Sequence, residues 1–139
     1  MRSSASRTNL WRVSPISGVH AIFWTNDADG LRAFFRDVLE FPFVDAGGGW
    51  LVFALPPTEA AMHPSDETFP ADEGGRAQIY LMSDDLHATV RELEAKGVQI
   101  SRPISDEGFG LTCAIRLPDG QDMGLYQPHH ATALGLAQG

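Results

Sequence analysis

The chain repeats one order of predicted elements, and this internal duplication constrains its fold more than any other feature. In each half, an apolar run rich in β-forming residues is followed by a helix-capping aspartate, an amphipathic helix and further strand-like stretches. His20 precedes the capping Asp27 by seven residues (27 − 20), and Gln78 precedes Asp85 by seven (85 − 78). His20 and Gln78 therefore occupy equivalent positions in two predicted units of like structure.

The first repeat is predicted to have the order β-α-β-β-β. Residues 19–25 (VHAIFWT) are its predicted first strand, and an amphipathic helix begins after Asp27. The apolar face of that helix carries Leu31, Phe34, Phe35, Val38 and Leu39. Three glycines at residues 47–49 predict a hairpin turn, and residues 58–64 (TEAAMHP) are the predicted closing strand, which includes His63.

The second repeat has the same predicted order. Residues 77–83 (AQIYLMS) are its first strand, and a helix follows whose inward residues are Leu86, Val90 and Leu93. Three more strands are predicted after this helix, at residues 98–105, 108–118 and 121–128. Because the closing strands of the two repeats correspond, His63 is equivalent to a residue between Gly124 and Gln127.

The repeats predict one structural domain with flanking segments. The first βαβββ module is predicted at residues 18–64 and the second at residues 76–128. Residues 1–17 are a predicted N-terminal arm, residues 65–75 an acidic, solvated linker, and residues 129–139 a C-terminal tail. The arginines and serines of the arm also fit a transit sequence, and that alternative stays open.

The charge balance argues against several classes of partner. Ten Lys and Arg against 18 Asp and Glu give this chain of 139 residues a net charge of −8, which disfavours nucleic acid and anionic membranes. The single Cys113 cannot form an internal disulfide, and it favours a reducing compartment and a cytoplasmic protein. The expected partners are a small molecule and a second copy of the chain, since sheets with open edges tend to pair.

Three stretches of the chain resemble the vicinal oxygen chelate superfamily. The opening of its first module resembles HAIFWTNDADGLRAFFRDVLEFPFV, and its second module resembles QIYLMSDDLHATVRELEAKGVQI with LPDGQDMGLYQP. The resemblance implies an α+β protein in which two βαβββ modules with mixed sheets form one curved cup. This is the fold of glyoxalase, bleomycin resistance protein and dihydroxybiphenyl dioxygenase. The resemblance predicts the fold and not the substrate, because one scaffold hosts many chemistries.

The resemblance also implies four metal-ligand positions on the floor of the cup, at His20, His63, Gln78 and Gly124. Two imidazoles, an amide and a carboxylate would suit Fe, Mn, Ni or Zn, and such an ion would chelate neighbouring substrate oxygens. Without the carboxylate, the two imidazoles and the amide favour a weaker site or none. Gly124 departs from the family pattern, which usually has Glu there, because glycine has no side chain to bind an ion. Asp122 lies on the same predicted strand face, and a bulge could bring its carboxylate to this position instead.

An apolar lining with few polar groups is expected around these positions. The predicted substrate-binding residues are Trp24, Trp50, Tyr80, Met82 and Tyr126. Catalytic residues stay unassigned, since the candidate general bases are each plausible only with a substrate pose. These candidates are Glu40, Glu59, Glu107 and Asp122. The remaining histidines, at 87, 129 and 130, are expected in solvent, with the alternative that an imidazole of the tail folds over the cup.

Two functions remain open on the sequence. The first is a divalent-metal-dependent lyase, isomerase or extradiol-type dioxygenase acting on a small oxygenated or aromatic molecule, with His20 and His63 as ligands. The second is a metal-free protein with a degenerate metal site, which sequesters a small hydrophobic or aromatic compound as antibiotic-resistance members of the superfamily do. The paired imidazoles favour the first function, whereas Gly124 and the aromatic lining favour the second.

Overall fold

The computed structural model describes Pro15, residues 19–68 and residues 77–136. These residues form two helical segments and two sheets, which confirms the predicted α+β class. Most of the predicted arm and of the predicted linker lies outside the described residues. Within the described ranges, every helix is too short or too polar to cross a membrane.

In the first half, a helix is followed by a hairpin. Helix α1 spans Ala28–Ala33 and continues as a π-helical turn over Phe34–Val38. The side chain of Asp27 caps α1 by accepting a hydrogen bond of 2.9 Å from the backbone N–H of Gly30, as the sequence predicts. Strands β1 (Phe43–Asp45) and β2 (Leu51–Phe53) then pair antiparallel.

The turn of this hairpin explains the triple glycine. The φ angles at residues 47, 48 and 49 are 132°, 60° and 88°. A side chain at these positions would be strained, because only glycine adopts positive φ readily. The prediction of a hairpin turn at residues 47–49 is therefore confirmed.

All the predicted elements of the second half are formed, in one four-stranded sheet. The order across it is β3-β6-β5-β4, with β3 parallel to β6 and the other pairs antiparallel. The strands are β3 (Tyr80–Met82), β4 (Ile100–Asp106), β5 (Gly110–Arg116) and β6 (Asp122–Pro128). Helix α2 spans Leu86–Ala95 between β3 and β4, and the side chain of Asp85 caps it.

The helices of both halves share one hydrophobic core on one face of this sheet. The buried residues of the core are Leu31, Phe34, Phe35, Leu86, Leu93, Val98, Cys113, Ile115, Leu117, Met123 and Leu125. Side chains alternate along a strand, so the neighbours of these residues in β5 and β6 lie on the other face. We call that other face the open face, and its residues are Tyr80, Met82, Arg102, Thr112, Ala114, Arg116, Asp122, Gly124 and Tyr126.

Two strands predicted in the first half are not formed. Residues 19–25 and residues 58–64 belong to no strand. A strand needs a neighbouring backbone to pair its N–H and C=O groups, and no described strand of the first half lies beside either segment. The predicted alternation of faces nevertheless exists in the first segment. The ring of Phe23 packs 5.3 Å from that of Phe35, whereas His20, Ile22 and Trp24 are exposed.

Candidate functional site

The ring of Tyr80 covers Gly124, the position at which the chain departs from the family pattern. In the parallel pair of β3 and β6, Tyr80 lies directly opposite Gly124. A Cβ atom at Gly124 would overlap the Cδ1 and Cε1 atoms of Tyr80. Glycine is therefore what allows this ring to rest on the backbone of β6. The phenol oxygen of Tyr80 also accepts a hydrogen bond of 3.2 Å from the Nε2 atom of Gln78.

Four rings meet at one end of the open face, and we call them the aromatic cluster: Tyr80, Phe109, Tyr126 and His130. The ring centre of Tyr126 lies 6.1 Å from that of Tyr80, 6.0 Å from that of Phe109 and 5.8 Å from that of His130. These separations are typical of favourable ring contacts. Tyr80 is 37% exposed and Phe109 is 59% exposed. The cluster therefore presents apolar ring surface to solvent, which a flat ligand could cover.

The segment after β6 folds against this cluster. The backbone N–H of His129 donates to the carbonyl oxygen of Phe109 at 2.9 Å. Further along, the backbone N–H of Ala133 donates to Glu59 Oε1 at 2.8 Å. Glu59 comes from the first half, so its carboxylate joins the tail to that half. Burial, and then the negative charge of Glu59, raise the pKa of the Tyr126 phenol.

At the other end of the open face, Arg116 is bound to Asp122, and Arg102 lies between this pair and the aromatic cluster. Arg116 Nε donates to Asp122 Oδ1 at 2.7 Å. The hydrogen bond from Arg116 holds the pKa of the Asp122 carboxyl below its usual value, and the charges of Arg116 and Arg102 contribute in the same direction. Arg102 itself makes two long hydrogen bonds of 3.4 Å, to Thr112 Oγ1 and to the carbonyl oxygen of Cys113.

The four implied metal-ligand positions do not fit a divalent ion. Gly124 offers no ligand, and the Tyr80 ring occupies the space that a side chain there would need. The register between β5 and β6 is unbroken from Gly110 to Arg116, so no bulge moves Asp122 towards the Gly124 position, and its carboxylate is bound to Arg116. The described part of the chain contains no group of three or more His, Cys, Asp or Glu that could hold an ion.

The remaining implied ligands are placed as follows. His63 is exposed, with its Nδ1 atom 2.8 Å from the carbonyl oxygen of Pro64. His20 is also exposed and, among the described residues, has no hydrogen bond or ion pair. Gln78 is engaged with the Tyr80 hydroxyl. Both histidines lie on segments without strand partners, so no ladder fixes their positions relative to Gln78.

The structure brings together three of the five predicted lining residues. Tyr80 and Tyr126 are in ring contact, and Met82 lies opposite Tyr126 in the ladder. Trp24 is 84% exposed, and its carbonyl oxygen accepts a hydrogen bond of 3.0 Å from Gln121 Nε2. Trp50 lies under the guanidinium of Arg32, 4.9 Å from it, and therefore beside α1. Within the described chain, neither tryptophan contacts a ring of the aromatic cluster.

Sequence reasoning did not single out Arg102 and Phe109. It named Glu59 only as a candidate base, and His130 only through the alternative of a tail imidazole over the cup. A signal for two of them was present. β5 and β6 form a hairpin in which Gly110 is opposite Pro128, so the residues just before β5 and just after β6 must be neighbours. Phe109 and the histidines at 129–130 hold those places, and the alternative of a tail imidazole over the cup is close to the observed arrangement. Glu40, another candidate base, lies elsewhere, in an ion pair of 2.6 Å with Lys96.

Comparison with known proteins places the fold. The family model described as Glyoxalase/Bleomycin resistance protein/Dioxygenase superfamily matches residues 18–123. No curated protein sequence matches the chain. Among solved structures, UcmS2 is similar at 20% identity and a TM-score of 0.56, covering 82% of this chain and 99% of its own.

Two further solved structures are similar to the same degree. TnmS3, an antibiotic binding protein from Streptomyces sp. CB03234, has 22% identity and a TM-score of 0.54, with 83% of this chain and 98% of its own covered. Lactoylglutathione lyase from Agrobacterium tumefaciens has 19% identity and a TM-score of 0.50, with 81% and 95% covered. Identities this low show a common fold alone. Since the family model covers well over half of the chain, the protein belongs to the glyoxalase/bleomycin resistance protein/dioxygenase superfamily.

Proposed function

We propose that this protein binds a small, flat aromatic molecule on its open face and uses no metal ion to do so. The observation that carries the proposal is the Tyr80 ring resting on Gly124. At the position where the family resemblance puts an anionic metal ligand, this chain has a ring surface. A ring surface contributes to binding through burial of apolar area and ring stacking, and it contributes nothing to holding a cation of high charge density.

The aromatic cluster supports this function because its ring surfaces are only partly covered by the protein itself. Tyr126 lies at its centre, in contact with the other three rings. The floor beside it is Thr112 and Ala114, which are 6% and 3% exposed. Because the protein already covers this floor, a ligand placed against the cluster would cover the exposed surface of Tyr80 and Phe109.

A titration of 2-naphthamide followed by calorimetry tests the proposal. We expect binding that EDTA leaves unchanged, because the recognition is by rings. Tyr126→Leu should weaken the binding about tenfold, since stacked rings contribute roughly 0.5–1.5 kcal/mol each. Phe43→Leu is the matched control: it removes a partly exposed ring from β1 of the hairpin, and it should bind like the wild type.

The same titration can overturn the proposal. Binding that EDTA abolishes and added Mn²⁺ restores would favour the alternative function, a metal-dependent lyase, isomerase or dioxygenase. Equal binding by the wild type and Tyr126→Leu would show that the aromatic cluster is not the site.

We also propose that two copies of the chain pair through the first half. Val19, Ile22 and Trp24 are 83%, 65% and 84% exposed on a segment that has no strand partner. A second copy is the proposed occupant because it carries the same unpaired segment and so can pair isologously with it. Sedimentation of the wild type should show a dimer and that of Trp24→Ser a monomer, whereas a wild-type monomer at high concentration would contradict the pairing. We place the protein in the cytoplasm, because Cys113 is a free, buried thiol.

A further inference from the structure

We propose that the bound aromatic molecule carries a carboxylate, and that Arg102 receives it on the open face. This inference rests on the proposed function and goes further by naming the charge of the ligand. It depends on two independent features of the open face: where Arg102 lies relative to the aromatic cluster, and how its charge is compensated.

Arg102 and Tyr80 lie in one row across the sheet. Arg102 is opposite Ala114, Ala114 is opposite Gly124, and Gly124 is opposite Tyr80. Neighbouring strands are about 4.8 Å apart, so this row spans about 14 Å between the outer backbones. The Tyr80 ring rests on Gly124 at one end of the row, and at the other end the Arg102 guanidinium reaches the neighbouring strand β5. The ring and the guanidinium therefore approach each other across the sheet, and one small molecule can contact both.

The direction of the Arg102 side chain agrees with this placement. Its Nη1 atom reaches Thr112 Oγ1, and Thr112 is opposite Tyr126 in the ladder of β5 and β6. The guanidinium therefore extends along β5 towards the aromatic cluster and not towards the solvent edge of β4. A molecule stacked against Tyr80 and Tyr126 would have its far end beside this guanidinium.

The charge of Arg102 has no carboxylate of its own within the described residues. Of the five other Lys and Arg residues in the described ranges, four lie within 3.2 Å of a carboxylate oxygen, namely Arg32, Arg36, Lys96 and Arg116. The fifth, Arg91, is exposed on α2, away from the open face. Arg102 bonds a hydroxyl and a carbonyl instead, both at the long distance of 3.4 Å. Asp122 influences it from nearby but is bound to Arg116.

Since Arg116 and Asp122 neutralise each other, the Arg102 guanidinium adds an uncompensated positive charge beside Thr112, on the side of the aromatic cluster. In a chain whose net charge is −8, that local excess distinguishes anionic from neutral ligands. Arginine also has five N–H donors in a planar fork that matches a carboxylate, and the two long bonds use only part of them. At the opposite end, Glu59 already accepts a hydrogen bond from the tail, so the row favours an anion at the Arg102 end and rings at the Tyr80 end.

The test compares 2-naphthoate with its neutral, nearly isosteric amide, 2-naphthamide, by calorimetry at low ionic strength. We expect the wild type to bind the carboxylate about tenfold more tightly, because a hydrogen bond to a charged group is stronger than one to a neutral amide, while solvent exposure limits the gain. Arg102→Gln should bind both probes with the affinity of the amide. Arg102→Lys should keep part of the preference, because it keeps the charge and loses the fork.

Arg91→Gln is the matched control, since it removes the same charge from an exposed position on α2 and should keep the full preference. Equal binding of both probes by the wild type, or a preference that survives in Arg102→Gln, overturns this inference and leaves the proposed function intact. Failure of the wild type to bind either probe overturns both.

Discussion

The four strands of the second half pair with one another in a single sheet, whereas the first half has a helix, a short hairpin and two segments without strand partners. β4, β5 and β6 are seven residues long, and β1 and β2 are three. Both halves have the same spacing between first segment and helix cap. The difference shows what a repeated sequence pattern specifies: the helix caps, the helices and the buried face of each segment. A hydrogen-bonded strand pair requires in addition a neighbouring strand.

The first half is nevertheless held to the second by packing. Phe35 is buried in the common core, and its ring lies 5.3 Å from Phe23, 5.8 Å from Phe41 and 5.5 Å from Phe53. Segments 19–25 and 43–53 are therefore attached to the core through one side of each, with the opposite side left open. This one-sided attachment is what the dimer proposed above would complete.

The largest expected effect is on the free energy of unfolding, and it differs between two isoleucines. Ile115 of β5 is fully buried, and Ile22 of the unpaired segment is 65% exposed. Ile115→Ala should reduce the free energy of unfolding by about 2–4 kcal/mol at every protein concentration, because it leaves a cavity in the core. Ile22→Ala should have a smaller effect that grows with protein concentration, because its face is covered only in the proposed dimer.

Urea unfolding at several protein concentrations measures both isoleucine variants. If Ile22→Ala costs as much as Ile115→Ala at the lowest concentration, the face of Ile22 is already covered within one chain. The proposal that this segment of the first half is uncovered in a single chain would then be wrong.

The next effect is also on stability, and it compares the last segments of the two repeats. One of them, β6, contains Gly124, and the other, residues 58–64, contains His63. Gly124→Ala places a methyl group against the Tyr80 ring, so we expect a loss of about 1–3 kcal/mol from overpacking or ring displacement. In a Tyr80→Ala background the same substitution should cost much less, which a double-mutant cycle measures. His63→Ala, at an exposed position, should change stability little. Equal costs of Gly124→Ala in both backgrounds would show that the ring does not rest on Gly124.

The third effect is on the pKa of Tyr126, in the second half, which the carboxylate of Glu59, in the first half, helps to raise. The raised pKa of Tyr126, caused by burial and then by Glu59, means that its phenol stays protonated to higher pH in the folded protein. The resulting contribution to stability is present below the unfolded pKa and is lost as the pH rises through the folded value. In a Tyr80→Phe background only Tyr126 titrates, since the chain has two tyrosines.

Absorbance at the tyrosinate band measures this titration. Glu59→Gln should move the Tyr126 midpoint towards the ordinary value without fully reaching it, because burial remains. Glu107→Gln, which removes an exposed carboxylate before β5, should leave the midpoint in place. An unchanged titration midpoint in Glu59→Gln would show that the Glu59 carboxylate of the first half does not act on Tyr126 in the aromatic cluster.

The sequence predicted what depends on local patterns. Asp27 and Asp85 cap their helices as expected, Leu86 and Leu93 face the core, and each strand of the second half is present. Strand formation at residues 19–25 was predicted wrongly because apolar alternation reports the faces of a segment and not whether another backbone lies beside it.

Parts of the site could not be predicted for a related reason. The rest position of the Tyr80 ring on Gly124 depends on the register of the parallel pair β3 and β6, which no turn fixes. The stacking of Trp50 under Arg32 depends on how the hairpin lies against α1. Both arrangements depend on how two elements lie against each other. A sequence pattern predicts each element separately and does not predict their relative placement.

The smallest effect tests the one ion pair that joins the halves in the described structure. Lys96, after α2, donates from Nζ to the carbonyl oxygen of Val38 at 2.9 Å and to Glu40 Oε2 at 2.6 Å. The hydrogen bond and charge of Lys96 lower the pKa of the Glu40 carboxyl. A carboxyl with a lowered folded pKa stabilises the protein above its unfolded pKa, and this contribution is lost as the pH falls through the folded value. Glu40→Gln should therefore be slightly less stable than the wild type at neutral pH and equal to it in acid, as thermal unfolding across that range would show.

Salt should narrow the difference in stability between Glu40→Gln and the wild type, since the ion pair is exposed. Glu94→Gln removes an exposed carboxylate from α2 and should show no such convergence. If Glu40→Gln and the wild type differ equally at neutral and acid pH, the ion pair does not help to link the two halves, and their attachment rests on the packing around Phe35 and on the hydrogen bonds of Trp24 and Glu59.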